Sequence, residues 1–250
     1  MQMKTRLDTA AGLARSLAIY YGQPWRRQAL RRFYEGLVSP GDLVFDIGAH
    51  AGSRSKTLLS LGAQVVAVEP QPVFADLIEK HFAGRLAGFE RVAVGAEVGE
   101  ISLRISSRHP TVTSTSRRFI DSVRDADGFR QVRWDREITV PMTTLDLLIE
   151  RYGRPDFCKI DCEGAEADIL RGLSSPVRLI AFEYIPAMPS VTREAIARLT
   201  ALGDYRFNRV VGEKHQFINS GWKDAIAMLR ELAELPPASP SGDIYARLES

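Results

Sequence analysis

From Leu43 onward the chain repeats one unit: a short apolar run, a turn, and a stretch with helical spacing. Strand signals fall at 43–47, 65–69, 89–94, 157–161 and 178–184, with helical patterns at about 53–61, 72–83, 165–173 and 192–201 between them. No other feature narrows the fold as much. Runs this apolar on both sides, rich in branched residues such as "QVVAV", need cover on both faces, and consecutive parallel strands need a helical crossover between them. The expectation is an α/β, Rossmann-like fold, a mostly parallel sheet with helices on both faces. A ligand is then expected beyond the carboxyl ends of the strands.

The rest of the chain is read around this unit. Apolar residues from Leu7 to Tyr21 recur at three- and four-residue steps, and a second helix starts near Pro24, so residues 1–38 are expected as an N-terminal helical segment. Residues 39–235 form the main domain. Within it, "ISLRIS" (101–106) and "EITVPM" (137–142) flank a polar insertion, 107–136. "YRFNRVV" (205–211) and "HQFIN" (215–219) are joined by "GEK", too short for a parallel crossover, which predicts a C-terminal antiparallel hairpin. The Pro/Ser-rich "LPPASPSGD" introduces residues 236–250, read as a tail.

Composition sets the outer bounds. With 250 residues, 45% of them hydrophobic, the chain can bury a full core. A net charge of +2 neither demands nor excludes an anionic partner, so no nucleic acid is expected from it, and no apolar run approaches the ~20 residues that span a bilayer. Cys158 and Cys162 are too few for a disulfide framework, which favours reduced thiols and a cytoplasmic setting.

The stretch "VFDIGAHAGSRS" (44–55) carries the first strand into a two-glycine turn and a helix, a place where backbone N–H groups approach a ligand. It is not a dinucleotide fingerprint, because the places three and six of that pattern, counted from Gly48, hold His50 and Ser53. It is not a P-loop either, since the required lysine is missing. What remains is Asp46 closing the first strand, Gly48 and Gly52 in the turn, and Glu69 ending the second strand. An acidic residue at Glu69 can accept both hydroxyls of a ribose.

In order along the chain, "VFDIGAHAG", "VVAVEPQPVFADL", "VAVGAEVGEISL", "KIDCEGAEADILRG" and "LIAFEYIP" resemble the FkbM family of S-adenosylmethionine-dependent methyltransferases, within the class I superfamily. The resemblance spans about Asp42 to Pro186 and departs at His50, where the family usually carries Asn. It implies S-adenosylmethionine as cofactor. Asp46 and the turn Gly48, Ala49, His50 and Gly52 would face its methionine part, Glu69 with Pro70 its ribose, and Ala93, Val94 and Gly95 its adenine. An alternative reading makes Asp46 a turn cap.

Chemistry is expected at "KIDCEGAEADIL". Asp161, at the end of its strand, is the first candidate to orient or deprotonate an acceptor hydroxyl, with Glu163 behind it and Glu183 reaching the crevice from the next strand. Asp161 doubles as a cofactor contact. Glu166 is assigned to the first helical turn, and Lys159 shares the strand side of Asp161. Carboxylates converging there suit a divalent cation, but nothing in the spacing requires one, and no metal is predicted. The insertion, in a stretch that holds eight arginines when counted from Arg104 to Arg136, suits an anionic small-molecule acceptor. The leading expectation is O-methylation of a hydroxyl on a sugar, glycolipid or secondary metabolite. N-methylation of a small molecule and a nonenzymatic cofactor-binding domain stand as alternatives.

Overall fold

The computed structural model describes residues 24–82, 84–123 and 130–249. The helix expected over Leu7–Tyr21 lies outside them. The elements run α1 (Pro24–Glu35), β1 (Leu43–Ile47), α2 (Ser53–Ser60), β2 (Gln64–Val68), α3 (Pro72–Phe82), β3 (Gly88–Glu90), β4 (Ala93–Val94) and β5 (Gly99–Ile105). They continue with α4 (Arg117–Val123), β6 (Arg136–Thr143), α5 (Leu145–Tyr152), β7 (Phe157–Ile160), α6 (Glu166–Arg171), β8 (Leu179–Tyr184), α7 (Pro189–Leu202), β9 (Tyr205–Val211), α8 (Ala225–Ala233) and β10 (Gly242–Leu248).

Seven strands form the main sheet in the order β3-β2-β1-β7-β8-β10-β9. The first five are parallel, and alternation along them sends side chains to two cores. On one face Phe45, Ile47, Val66, Cys158 and Ile160 pack with residues of α5, α6 and α7, including Leu148, Leu170 and Leu199. On the other, Val44, Val65 and Phe157 pack with Leu30 and Tyr34 of α1 and Leu58 of α2. The expected α/β, Rossmann-like sheet with helices on both faces is what forms. Strand order reverses between β1 and β7, so the carboxyl ends of these two strands part there and open a crevice.

The C-terminal hairpin is corrected. β9 pairs antiparallel not with 215–219, which form no strand, but with β10, which also pairs antiparallel with β8. Residues 236–250, read as a tail, thus supply a strand inside the sheet. The alternation in "GDIYARL", with Ile244 and Ala246 in one core and Tyr245 in the other, makes burial of this strand favourable on both faces. Helices α5 and α8 were not expected; Thr144 and Asp224 cap them by accepting from the N–H groups of Leu147 and Ala227.

The segment around the insertion builds a small second sheet, β4-β6-β5, whose inner face carries Ala93, Leu103, Ile105 and Val140. Ser114 fastens the insertion to the main sheet, its Oγ donating to the Glu163 carbonyl at 2.7 Å.

Candidate functional site

The crevice at the β1/β7 reversal is a narrow, partly open cleft with Ile47, Val68, Gln71, Thr113 and Cys162 in its lining. Of the residues expected to hold a ligand, Gly48, His50, Glu69, Pro70, Ala93, Val94 and Asp161 line it. Asp46, Ala49, Gly52, Gly95, Glu163 and Glu183 do not.

Gly48 shows why the turn needs glycine. Its φ is +80°, and a Cβ there would sit 2.1 Å from the Asp161 carbonyl, so β1 and β7 can close on each other only without a side chain. Gly52 is equally constrained for a different reason: a Cβ would fall 2.5 Å from the Phe82 ring, so it serves the packing of α3 against the turn.

Glu69, 3% exposed, ends β2 in the cleft wall. One oxygen accepts the His50 N–H at 2.8 Å and the other the Gln71 N–H at 2.8 Å. The carboxylate thereby ties the two turns that flank the cleft, and each oxygen keeps a lone pair for a ligand hydroxyl. Burial raises its pKa, offset only in part by His50 and the two amides. The wall around it is apolar: Val68, Val92, Val94 and Leu103 form a slot suited to a flat heterocycle.

Asp161 forms the opposite wall and is held in another way. Arg54 Nη1 donates to its Oδ2 at 2.6 Å, and Lys159 Nζ stands 3.9 Å from the same oxygen. Burial works against its charge, but Lys159, Arg54 and His50 outweigh it and hold its pKa down at about 2. A carboxylate this acidic is a weak base near neutral pH, so its first expected role, deprotonating an acceptor, is the less suited of the two considered. The Lys159 contact follows the expected strand side. Arg54 was missed, although an arginine in the first turn of α2 is placed against the helix dipole, a sign that something else holds it.

Asp46 turns to the α1/α2 face of the sheet and accepts from Ser55 Oγ at 2.5 Å inside the first turn of α2. It is 1% exposed, burial raises its pKa against that bond, and it matches the turn-cap alternative. Asp46 is not among the residues that line the cleft. Ala49 and Gly95 pack beside the cleft.

Glu166 is 1% exposed and accepts from the N–H groups of Cys162 and Gly164, both at 3.2 Å, pinning the turn that presents Asp161. Burial nevertheless pushes its pKa up to about 7. For Glu163, in a left-handed conformation at φ +49°, and for Glu183, burial raises the pKa, each feels Asp161 and Glu166 as like charges, and Glu183 feels Glu163 as well. The Glu183 Oε2 atom is buried without a hydrogen-bond partner. Among the described residues no group of three or more His, Cys, Asp or Glu side chains is disposed to hold a metal ion. No described helix is long and apolar enough to cross a membrane.

The residues 46–235 match the model of the methyltransferase FkbM domain. Among curated proteins, the hexuronic acid methyltransferase AglP of Haloferax volcanii is 23% identical over 163 residues, 63% of this chain and 61% of that protein. A chloroplastic ribosomal RNA small subunit methyltransferase of Arabidopsis thaliana is 45% identical over 47 residues, 19% of this chain and 14% of that one. The chain thus spans less than two thirds of either relative. An O-methyltransferase from Bacillus cereus, solved in complex with SAH, superposes with a TM-score of 0.46 at 15% identity, over 98% of this chain and 90% of that one.

Proposed function

The chain belongs to the FkbM methyltransferase domain family, and from that premise we propose that it transfers a methyl group from S-adenosylmethionine to a hydroxyl of a small molecule. The observation that carries the reading is the pair of unlike carboxylates on facing walls of one cleft. Glu69, with hydrogen-bonding capacity to spare and an apolar slot beside it, suits the ribose hydroxyls and the adenine. Asp161, ionised and lining the same cleft, suits the methionine ammonium.

The cofactor supplies a methyl group on a sulfonium, open to in-line attack. The protein's part is to hold the acceptor in line and take its proton. We assign the proton to Glu183, with Glu163 as its like-charged neighbour, because its Oε2 is buried without a hydrogen-bond partner near the carboxyl end of β8, beside the cleft and not in its lining. For the acceptor we favour a sugar, glycolipid or secondary metabolite. The AglP relative is named for a hexuronic acid, and an open hollow at the insertion, lined by Arg104, Arg117, Arg133 and Trp134 together with Asp121 and Asp135, suits the hydroxyls of a sugar. A cytoplasmic enzyme without nucleic acid or membrane partner fits this reading.

Calorimetry with S-adenosylmethionine and SAH tests it. The wild-type protein should bind both, and Glu69→Ala should lose on the order of 1.5–3 kcal/mol of that affinity, the cost of removing a charged acceptor from a buried diol. Glu183→Gln should keep the affinity and lose roughly 10²-fold in turnover. Tighter binding of NAD than of SAH by the wild type would overturn the cofactor reading.

A further inference from the structure

On the α1/α2 face of the sheet, below the cleft, three half-buried charges, Arg54, Asp161 and Asp243, gather around one that is fully buried. Lys159 is completely buried. Its ammonium donates to the Ile160 carbonyl at 3.0 Å, meets Asp243 Oδ1 at 3.0 Å, and stays 3.9 Å from Asp161 Oδ2. Arg54 closes the row on Asp161 at 2.6 Å and reaches Glu213 at 3.9 Å. Two cations and two anions therefore alternate from α2 to β10: Arg54, Asp161, Lys159, Asp243.

The register explains how a residue near the end of the chain arrives there. Lys159 pairs with Ala181 of β8, which pairs with Tyr245 of β10. Asp243 is two residues from Tyr245, on the same face and diagonal to Lys159. Its carboxylate engages the lysine at hydrogen-bonding distance, whereas Asp161 keeps the lysine only as a neighbouring charge. Asp161 Oδ2 is taken by Arg54, so one oxygen is anchored and Asp161 still lines the cleft.

We propose that Arg54 and Asp243 are positioning residues for the cofactor, acting through Asp161: Arg54 fixes its orientation, and Asp243, by drawing the Lys159 ammonium aside, keeps Asp161 free to face a cationic ligand. The inference rests on the reading of the cleft as the S-adenosylmethionine site. It makes the last strand part of the site, although no atom of β10 lines the cleft.

Other charged groups around Asp161 bear on its titration. His50 from the β1 turn adds positive charge when protonated, and Asp46 lies on the same sheet face. Glu163, Glu166 and Glu183 add negative charge from the turn after β7, from α6 and from β8. Tyr34 of α1 faces Arg54 and Lys159. None of these reaches the Asp161 carboxylate with a hydrogen bond as Arg54 does.

The test uses the full chain in two states. In the unliganded protein, carbon-13 NMR of the aspartate carboxyls should show Asp161 ionised down to about 2, and Arg54→Gln should raise that midpoint by at least about one unit, the equivalent of a tenfold change in proton affinity. Arg54→Lys, which keeps the charge but loses the fork, should raise it less and serves if Arg54→Gln does not fold. With SAH as the probe, Asp243→Asn should weaken binding by roughly five- to tenfold, as the ammonium swings to Asp161, while turnover at saturating cofactor stays within about twofold of wild type. Asp243→Glu should restore most of the affinity. An Asp161 midpoint unmoved by Arg54→Gln, or an Asp243→Asn protein of native stability that binds SAH like wild type, would overturn the inference. A wild-type protein that takes up no SAH would instead overturn the proposed function, and the unliganded titration separates the two failures.

Discussion

Glu69 and Asp161 are buried carboxylates on facing walls of one cleft, yet burial has opposite outcomes for them. Glu69 is held by two backbone N–H groups and is pushed toward protonation. Asp161 is held by a guanidinium with an ammonium behind it and stays ionised down to about 2. Glu166 shows that the wall is not the cause. It lies five residues beyond Asp161 in the same turn, but its partners are amides, and its pKa rises to about 7. Amide dipoles offset only part of the cost of dehydrating a carboxylate, whereas a full positive charge in a poorly screened setting exceeds it. The difference equips the cleft with one acceptor for neutral hydroxyls and one fixed negative charge.

The severest way to break the comparison is to remove the cation. Lys159→Met leaves Asp243 buried beside a thioether and deprives Asp161 of its second positive neighbour. The expected loss is about 3–5 kcal/mol, read from urea denaturation midpoints. A loss under about 1 kcal/mol would mean that the charge row contributes little to the fold.

Glu166→Gln sharpens the comparison through pH. Its pKa is above the unfolded value, so between about 4.5 and about 7 the native state binds the extra proton. The stability contributed by that proton is fully present below the unfolded pKa and is lost as pH rises through about 7. Wild-type stability should therefore decline across this window by on the order of 2–3 kcal/mol more than that of Glu166→Gln. Parallel curves would show that amide partners hold a buried carboxylate as well as cations do.

The smallest effect is expected at Asp46, the third carboxylate with a neutral partner. Ser55→Ala removes the hydrogen bond that Ser55 Oγ donates to Asp46 and should cost about 1–2 kcal/mol in a thermal or chemical melt. Affinity for SAH should be unchanged, because Asp46 does not line the cleft. A matching loss of SAH affinity would return Asp46 to the cofactor site.

Legibility in the sequence followed the range of the interaction. The turn Gly48 to Gly52 and the end of β2 at Glu69 were readable because a strand, a glycine and an acidic residue follow one another over a few positions, and local backbone demands fix their place. Lys159 and Asp161 were readable as neighbours from period two. The side to which Asp46 turns was not, since Ser55 competes for it from the next helix. The strand at 242–248 was misread because a Pro/Ser-rich segment precedes it and its two partners, β8 and β9, are distant along the chain. The neighbouring "HQFIN" offered a shorter loop and a plausible hairpin.

What the sequence determined alone is the layered α/β plan and the site of its opening. Apolar strands alternating with amphipathic helices admit few other packings than a parallel sheet covered on both faces. What only the tertiary structure decided is the charge state of the site. Arg54, Asp161, Lys159 and Asp243 come from α2, the end of β7, β7 itself and β10, and no local rule links residues 54, 159, 161 and 243. A carboxylate's proton affinity depends on which charges stand within a few ångströms and how much water is excluded, and both are settled only when the last strand enters the sheet.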